Sequence, residues 1–186
     1  MDVGREKIRR GWLLALIGLL LAVLAPVIMR SALDRSSMLV EIVLPSGEVS
    51  LLSLEDVKAH VGIEREGVYQ NQYGNWRDQG LYRGALLSDL IGTNAVYDEV
   101  LITASDGYTA RIERHRVEDQ DYPMVLAISL DGKEVPAWSD GPRITVLPDD
   151  GDVSNEEYDA VSAGSFWVKN VRRIELLTAP LSSSTD

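Results

Sequence analysis

Positions 11–29 read GWLLALIGLLLAVLAPVIM, nineteen consecutive residues without a charge. As a helix rising about 1.5 Å per residue, this run spans the roughly 30 Å hydrocarbon core of a bilayer and satisfies its own backbone groups. The pattern predicts a tail at 1–10, a transmembrane helix at 11–29, a tether at 30–38, one domain at 39–180 and a frayed polar tail at 181–186. Past the tether the apolar runs shorten to strand length. MLVEIVL (38–44), VLITA (100–104), MVLAISL (124–130) and RITVL (143–147) are β-branched and apolar, and predict strands, those at 100–104 and 124–130 being buried ones. Pro45-Ser46-Gly47-Glu48, Ser105-Asp106-Gly107 and Asp131-Gly132 predict turns, with return strands at 49–52, 108–112 and 133–135. Ser53 with Asp56 forms a capping-box pair before a helix of about two turns ending at Gly62. Leu86, Leu87 and Leu90 predict a second short helix closed by Gly92. The Gly-, Asn- and Gln-rich stretch 63–84 predicts a long ordered loop with short strands, and 149–159 an acidic loop. The segment 166–177 predicts a loop and a last strand. The fold class is therefore α+β, a β-rich mixed domain preceded by one transmembrane helix.

Charge sets the orientation. Arg5, Lys7, Arg9 and Arg10 precede the apolar run, against Arg30 and Arg35 after it, which predicts a cytoplasmic N-terminus and an extracytoplasmic domain at the cell membrane. A cleaved signal peptide is the competing reading. Arg9-Arg10-Gly11-Trp12-Leu13 also fits the twin-arginine export pattern, which carries a domain across the membrane already folded. Of 18 Lys/Arg and 29 Asp/Glu, residues 1–35 hold six and three, leaving 12 against 26 in the rest. A domain at −14 offers no counterion release to nucleic acid, so that partner class is excluded. The chain has no cysteine. Disulfides, iron–sulfur clusters, zinc–thiolate sites and thiol nucleophiles are therefore excluded.

Four strings stand in a characteristic order: LYRGALLSDLIG, VLITASDGYTARI, MVLAISLDGKEVPAWSDGPRITVLP and FWVKNVRRIEL. Over about 65–177 the chain resembles the molybdopterin-binding domain of the sulfite oxidase family, especially its small single-domain members. The resemblance implies a mixed fold that buries a pyranopterin, with a cysteine thiolate as the protein's ligand to molybdenum. In that family the cysteine lies four residues before a Trp and about ten before an aromatic–x–Gly element. Trp76 and Tyr82-Arg83-Gly84 match those elements, and the cysteine position is Gln72. A carboxamide forms no thiolate bond and is a poor ligand for a high-valent metal. The family's Gly-Pro-x-Arg reads Gly141-Pro142-Arg143, one residue short, and on a strand a shift of one sends a side chain to the opposite face. Its Val-Lys-Trp reads Val168-Lys169-Asn170. The implied cofactor-binding residues are thus Gln72, Trp76, Arg83, Arg143 and Lys169, with no catalytic or metal-ligating residue among them.

Gln72, Asn75, Trp76 and Arg77 are expected either to line a polar pocket or to be ordinary loop residues with Trp76 against the core edge. Arg83, Arg143 and Lys169 are expected either to cradle an anion together or to pair with the many carboxylates. His115, in the basic stretch 111–116, marks either an anion-binding spot or a solvated edge or turn. His60 fits a helix terminus. Asp149, Asp150, Asp152 and Glu156 have the oxygen density of a calcium loop but not EF-hand spacing. Two functions follow. One is a non-catalytic domain that binds a small anionic ligand or a membrane protein partner in the former cofactor cleft. The alternative is an active molybdopterin-dependent oxidoreductase acting on a small oxyanion. A structural subunit of a membrane complex is a third class.

Overall fold

A computed structural model of the chain describes residues 38–178. The predicted transmembrane helix, the tail before it and the tail at 181–186 lie outside the described residues, as does most of the tether. Among the described residues no helix is long and apolar enough to cross a membrane.

Among the described residues eleven strands and three short α-helices follow one another as β1 (Met38–Val43), β2 (Val49–Ser53), α1 (Leu54–Ala59), β3 (Val61–Gln70), β4 (Trp76–Leu86), α2 (Leu87–Ile91), β5 (Glu99–Ala104), β6 (Thr109–Glu113), α3 (Arg114–Val117), β7 (Met124–Leu130), β8 (Lys133–Glu134), β9 (Arg143–Val146), β10 (Asp152–Val153) and β11 (Val171–Leu177). A 3₁₀ turn covers Ala163–Phe166. One sheet has the order β2-β1-β11-β5-β6, the other β10-β3-β4-β7-β8, with β9 on β7 as well. β9 pairs with Met124 to Ala127 and β8 with Ser129 and Leu130, so the two share one long edge of β7. β1 runs parallel to β11, and β10 parallel to β3.

The apolar run of β7 is buried on both faces from Met124 to Ser129, as a strand without alternation should be. β9 is buried at all four positions. β5 is a half-buried strand instead of the fully buried one expected, because only Val100, Ile102 and Ala104 turn to the core. At α1 the capping box forms as predicted. Ser53 Oγ accepts from the Asp56 N–H at 3.2 Å, and Asp56 Oδ2 accepts from the Ser53 N–H at 2.8 Å. The helix ends at Ala59 with His60 as its cap.

The loop expected over 63–84 is instead the longest hairpin of the fold. β3 and β4 pair from Val61–Ala85 down to Gln70–Trp76. Its residues are poor strand formers, and tertiary pairing overrides that preference. Gly84 shows why. A β-carbon there would lie 2.7 Å from Ala127 Cα and closer still to the Leu126 carbonyl oxygen. Only glycine lets β4 approach β7 at this point, where the ladder shifts between Arg83 and Gly84. The tip is closed by Asn71, whose side-chain oxygen accepts from the Tyr73 and Asn75 N–H groups at 3.0 and 3.1 Å. Two smaller corrections concern loops. β10 interrupts the acidic segment, and the basic stretch enters helix α3.

Candidate functional site

Three chain segments meet at one end of β4 and β9. Backbone bonds from Ile144 N–H to Val168 O, Val171 N–H to Pro142 O and Asn170 N–H to Asp140 O tie the 140–144 segment to the 168–171 segment. Asp78 comes from β4 with a positive φ of 55°. The strand start at Arg143 then points a guanidinium inward, only 1% exposed.

That guanidinium is met by acids. Arg143 Nη1 donates to Asp78 Oδ2 at 2.9 Å and to Tyr82 Oη at 3.1 Å, and Nη2 donates to Asp140 Oδ2 at 3.1 Å. Lys169 Nζ lies 3.0 Å from Asp140 Oδ2 and 3.3 Å from Asp78 Oδ2. Tyr82 in turn donates its hydroxyl hydrogen to the Asp78 carbonyl at 2.6 Å. The guanidinium carbon lies 5.4 Å from the Trp138 ring and 5.8 Å from the Tyr82 ring, and Trp167 packs edge-on to Tyr82 at 5.3 Å. Tyr69 stacks obliquely on Trp167 at 4.9 Å. The result is two cations and two carboxylates beside an aromatic cluster, with no net charge.

The titrations follow from this pairing. The hydrogen bond from Lys169 outweighs burial and holds the Asp140 carboxyl below its ordinary range. Burial pulls the Lys169 ammonium down, but the bond to Asp140 and the charge of Asp78 leave it raised. Burial, then the Asp78 charge, push the Tyr69 hydroxyl up, and burial does the same to Tyr82.

The structure brings together two of the five sequence-derived residues. Arg143 and Lys169 share both carboxylates. Arg83 does not join them, and the expected three-cation cradle does not form. As the strand neighbour of Tyr82 it faces the other way, 3.9 Å from Glu134, which also binds Lys58 at 2.7 Å. Gln72 sits exposed at the hairpin tip, and Trp76, at the start of β4, is 45% exposed instead of lying against the core. The one-residue shortening before Arg143 does not turn it to solvent. Asp78, Trp138 and Trp167 complete the site without a sequence signal of their own, Asp140 is signalled only by its nearness to Arg143, and Tyr82 by the aromatic–x–Gly match.

Several of the remaining candidates have structural partners. Arg111 pairs with Glu99, Arg114 with Glu118, and Arg116 stacks 4.7 Å over Tyr158. His115 lies 3.3 Å from Glu113, both exposed. Asp149 pairs with Arg65 at 2.8 Å. Among the described residues no group of three or more His, Asp or Glu could hold a metal ion. A surface cavity of about 220 Å³ opens beside Val43, Leu44 and Leu177, and none of its lining residues belongs to the Arg143 cluster.

No protein-family profile matches the chain, and no curated protein matches it. Among solved structures, the crystal structure of the sulfane dehydrogenase SoxCD from Paracoccus pantotrophus is similar, with a TM-score of 0.52 and 17% identity. The match covers 77% of this chain and 39% of that one, so the chain spans about two-fifths of the length of the structure it matches. The likeness concerns the fold, a β-rich mixed domain with few helices. It is consistent with the sulfite-oxidase-like architecture implied by the sequence.

The residues present do not fit a molybdenum centre of that family's kind. The position that the resemblance assigns to the thiolate is Gln72, a carboxamide on an exposed tip, the chain holds no thiol, and Arg143 and Lys169 are already paired with carboxylates.

Proposed function

We propose that the chain is a membrane-anchored, extracytoplasmic domain that retains a sulfite-oxidase-type scaffold without molybdenum redox turnover. It binds a small anionic ligand or a protein partner where Arg143 and Lys169 meet. The observation that carries this reading is the Arg143–Asp78–Asp140–Lys169 cluster. A buried guanidinium is kept there, in a chain without a cysteine thiolate to hold a metal beside it. Basic residues of this kind serve anion recognition as readily as cofactor binding. The anchor rests on the uncharged run at 11–29, and the orientation on the positive residues before it.

The Arg9-Arg10-Gly11-Trp12-Leu13 pattern favours a second reading, an active molybdopterin-dependent oxidoreductase acting on a small oxyanion and exported folded. Elemental analysis separates the two. The full chain is produced in a host that makes molybdopterin, purified in mild detergent, and assayed for molybdenum and for pterin fluorescence. The non-catalytic reading expects neither above background. Molybdenum near one atom per chain would falsify it.

A further inference from the structure

The Arg143 guanidinium is used unevenly. Nη1 donates twice, to Asp78 and Tyr82, and Nη2 once, to Asp140. Nε is buried without a partner. Nε–H and Nη2–H together form the side-on edge that matches two oxygens of one anion. Asp140 covers half of that edge, because its Oδ2 serves both Nη2 and the Lys169 ammonium. A second buried donor, Nε1 of Trp167, also lacks a partner, and the Trp167 ring packs edge-on to Tyr82. Buried donors are seldom left unmet. Asp140 and Lys169 form the exposed side of the cluster, their side chains 42% and 44% exposed, whereas that of Arg143 is 2% exposed.

We propose that the Asp140 carboxylate is an internal plug in an oxyanion seat, and that a small tetrahedral oxyanion binds by displacing it. The incoming anion takes the Nε/Nη2 edge of Arg143 and the Lys169 ammonium, and Asp140 swings toward solvent. The inference rests on the reading that this site accepts an anion, and adds that the chain regulates the seat with its own side chain. Sulfate or inorganic phosphate carries enough terminal oxygens to meet both edge donors and the ammonium at once. In the resting chain the anion must break two charge-assisted bonds and sit near Asp78, so its binding is weak. Asp140→Asn keeps the shape and removes the competing charge. Two like charges a few ångströms apart at a partly buried site are strongly repulsive, so the gain is about tenfold or more in affinity.

The test titrates sulfate and inorganic phosphate into the full chain at constant ionic strength, by calorimetry and thermal shift. Wild type, Asp140→Asn, Lys169→Ala and the double variant are compared, with Asp140→Ser as a second plug-free variant should Asp140→Asn fail to fold. The expected result is sulfate affinity about tenfold or more above wild type in the plug-free variant, lost again when Lys169→Ala is added. Equal affinity in wild type and plug-free chains overturns the plug and leaves the anion-binding reading standing. A gain that survives Lys169→Ala also overturns the proposed seat. No binding by wild type or by a folded plug-free variant overturns the plug and the anion-binding reading together.

Discussion

Replacing Arg143 with Met tests whether the buried guanidinium organises this end of the domain. Met fills much of the same volume and cannot carry charge. The substitution removes two charge-assisted bonds, at 2.9 and 3.1 Å, and one to the Tyr82 hydroxyl at 3.1 Å. Breaking one side of a fully buried ion pair costs about 3–5 kcal/mol. Here the acids left behind are not fully buried. The Asp78 and Asp140 side chains are 28% and 42% exposed, and Lys169 still lies within 3.3 Å of both. They regain water and keep one cation, which lowers the expected loss to about 2–3 kcal/mol. In a domain of this size that is roughly 8 °C of melting temperature. Arg143→Lys keeps the charge but not the planar fork, and should recover less than half of the loss. The assay is urea unfolding of the full chain in detergent, followed by tryptophan fluorescence, since Trp138 and Trp167 lie in the aromatic cluster beside Arg143. A loss for Arg143→Met below about 1 kcal/mol, the size of an ordinary exposed ion pair, refutes the reasoning.

Gly84→Ala should abolish folding or cost more than about 3 kcal/mol, because its new β-carbon meets the backbone of Leu126 and Ala127, which cannot move aside as a side chain can. Gly62→Ala, with nothing nearer than the His60 carbonyl at 4.0 Å, should change stability by less than about 0.5 kcal/mol, and equal losses at the two sites would refute this account of the β4–β7 approach. The Asp140 carboxyl is held below its ordinary range, so its contribution to stability is present above the unfolded value of about 4 and disappears as pH falls through the folded value. The stability difference between wild type and Asp140→Asn should therefore shrink as pH drops from about 5 toward 2, and a difference that stays constant over that interval counts against the pairing. Lys169 is raised, so its contribution holds below about 10.4 and is lost as pH climbs through the folded value, which puts the alkaline limb of the same curve above pH 10.

Local chemistry made much of the domain legible in the sequence. The strands at Met124–Leu130 and Arg143–Val146 follow from runs rich in β-branched and apolar residues, and the hairpin of Glu99–Ala104 with Thr109–Glu113 from an Asp-Gly turn. The start of α1 follows from Ser53 and Asp56 capping each other across three residues. Each of these signals is contained within about ten residues of chain. The tertiary structure alone decided that 63–84 is a long hairpin. Its strands hold their place through pairing with one another and with β7, and through Gly84, whose missing side chain makes room for the β7 backbone. It alone decided which cations meet. Arg83 and Arg143 look alike in sequence, yet strand alternation sends Arg83 to Glu134, while Arg143 finds Asp78 sixty-five positions away. A charge cluster assembled from β4, the 140–144 segment and the 168–171 segment has no periodicity to betray it, because its members become neighbours only when the sheets close.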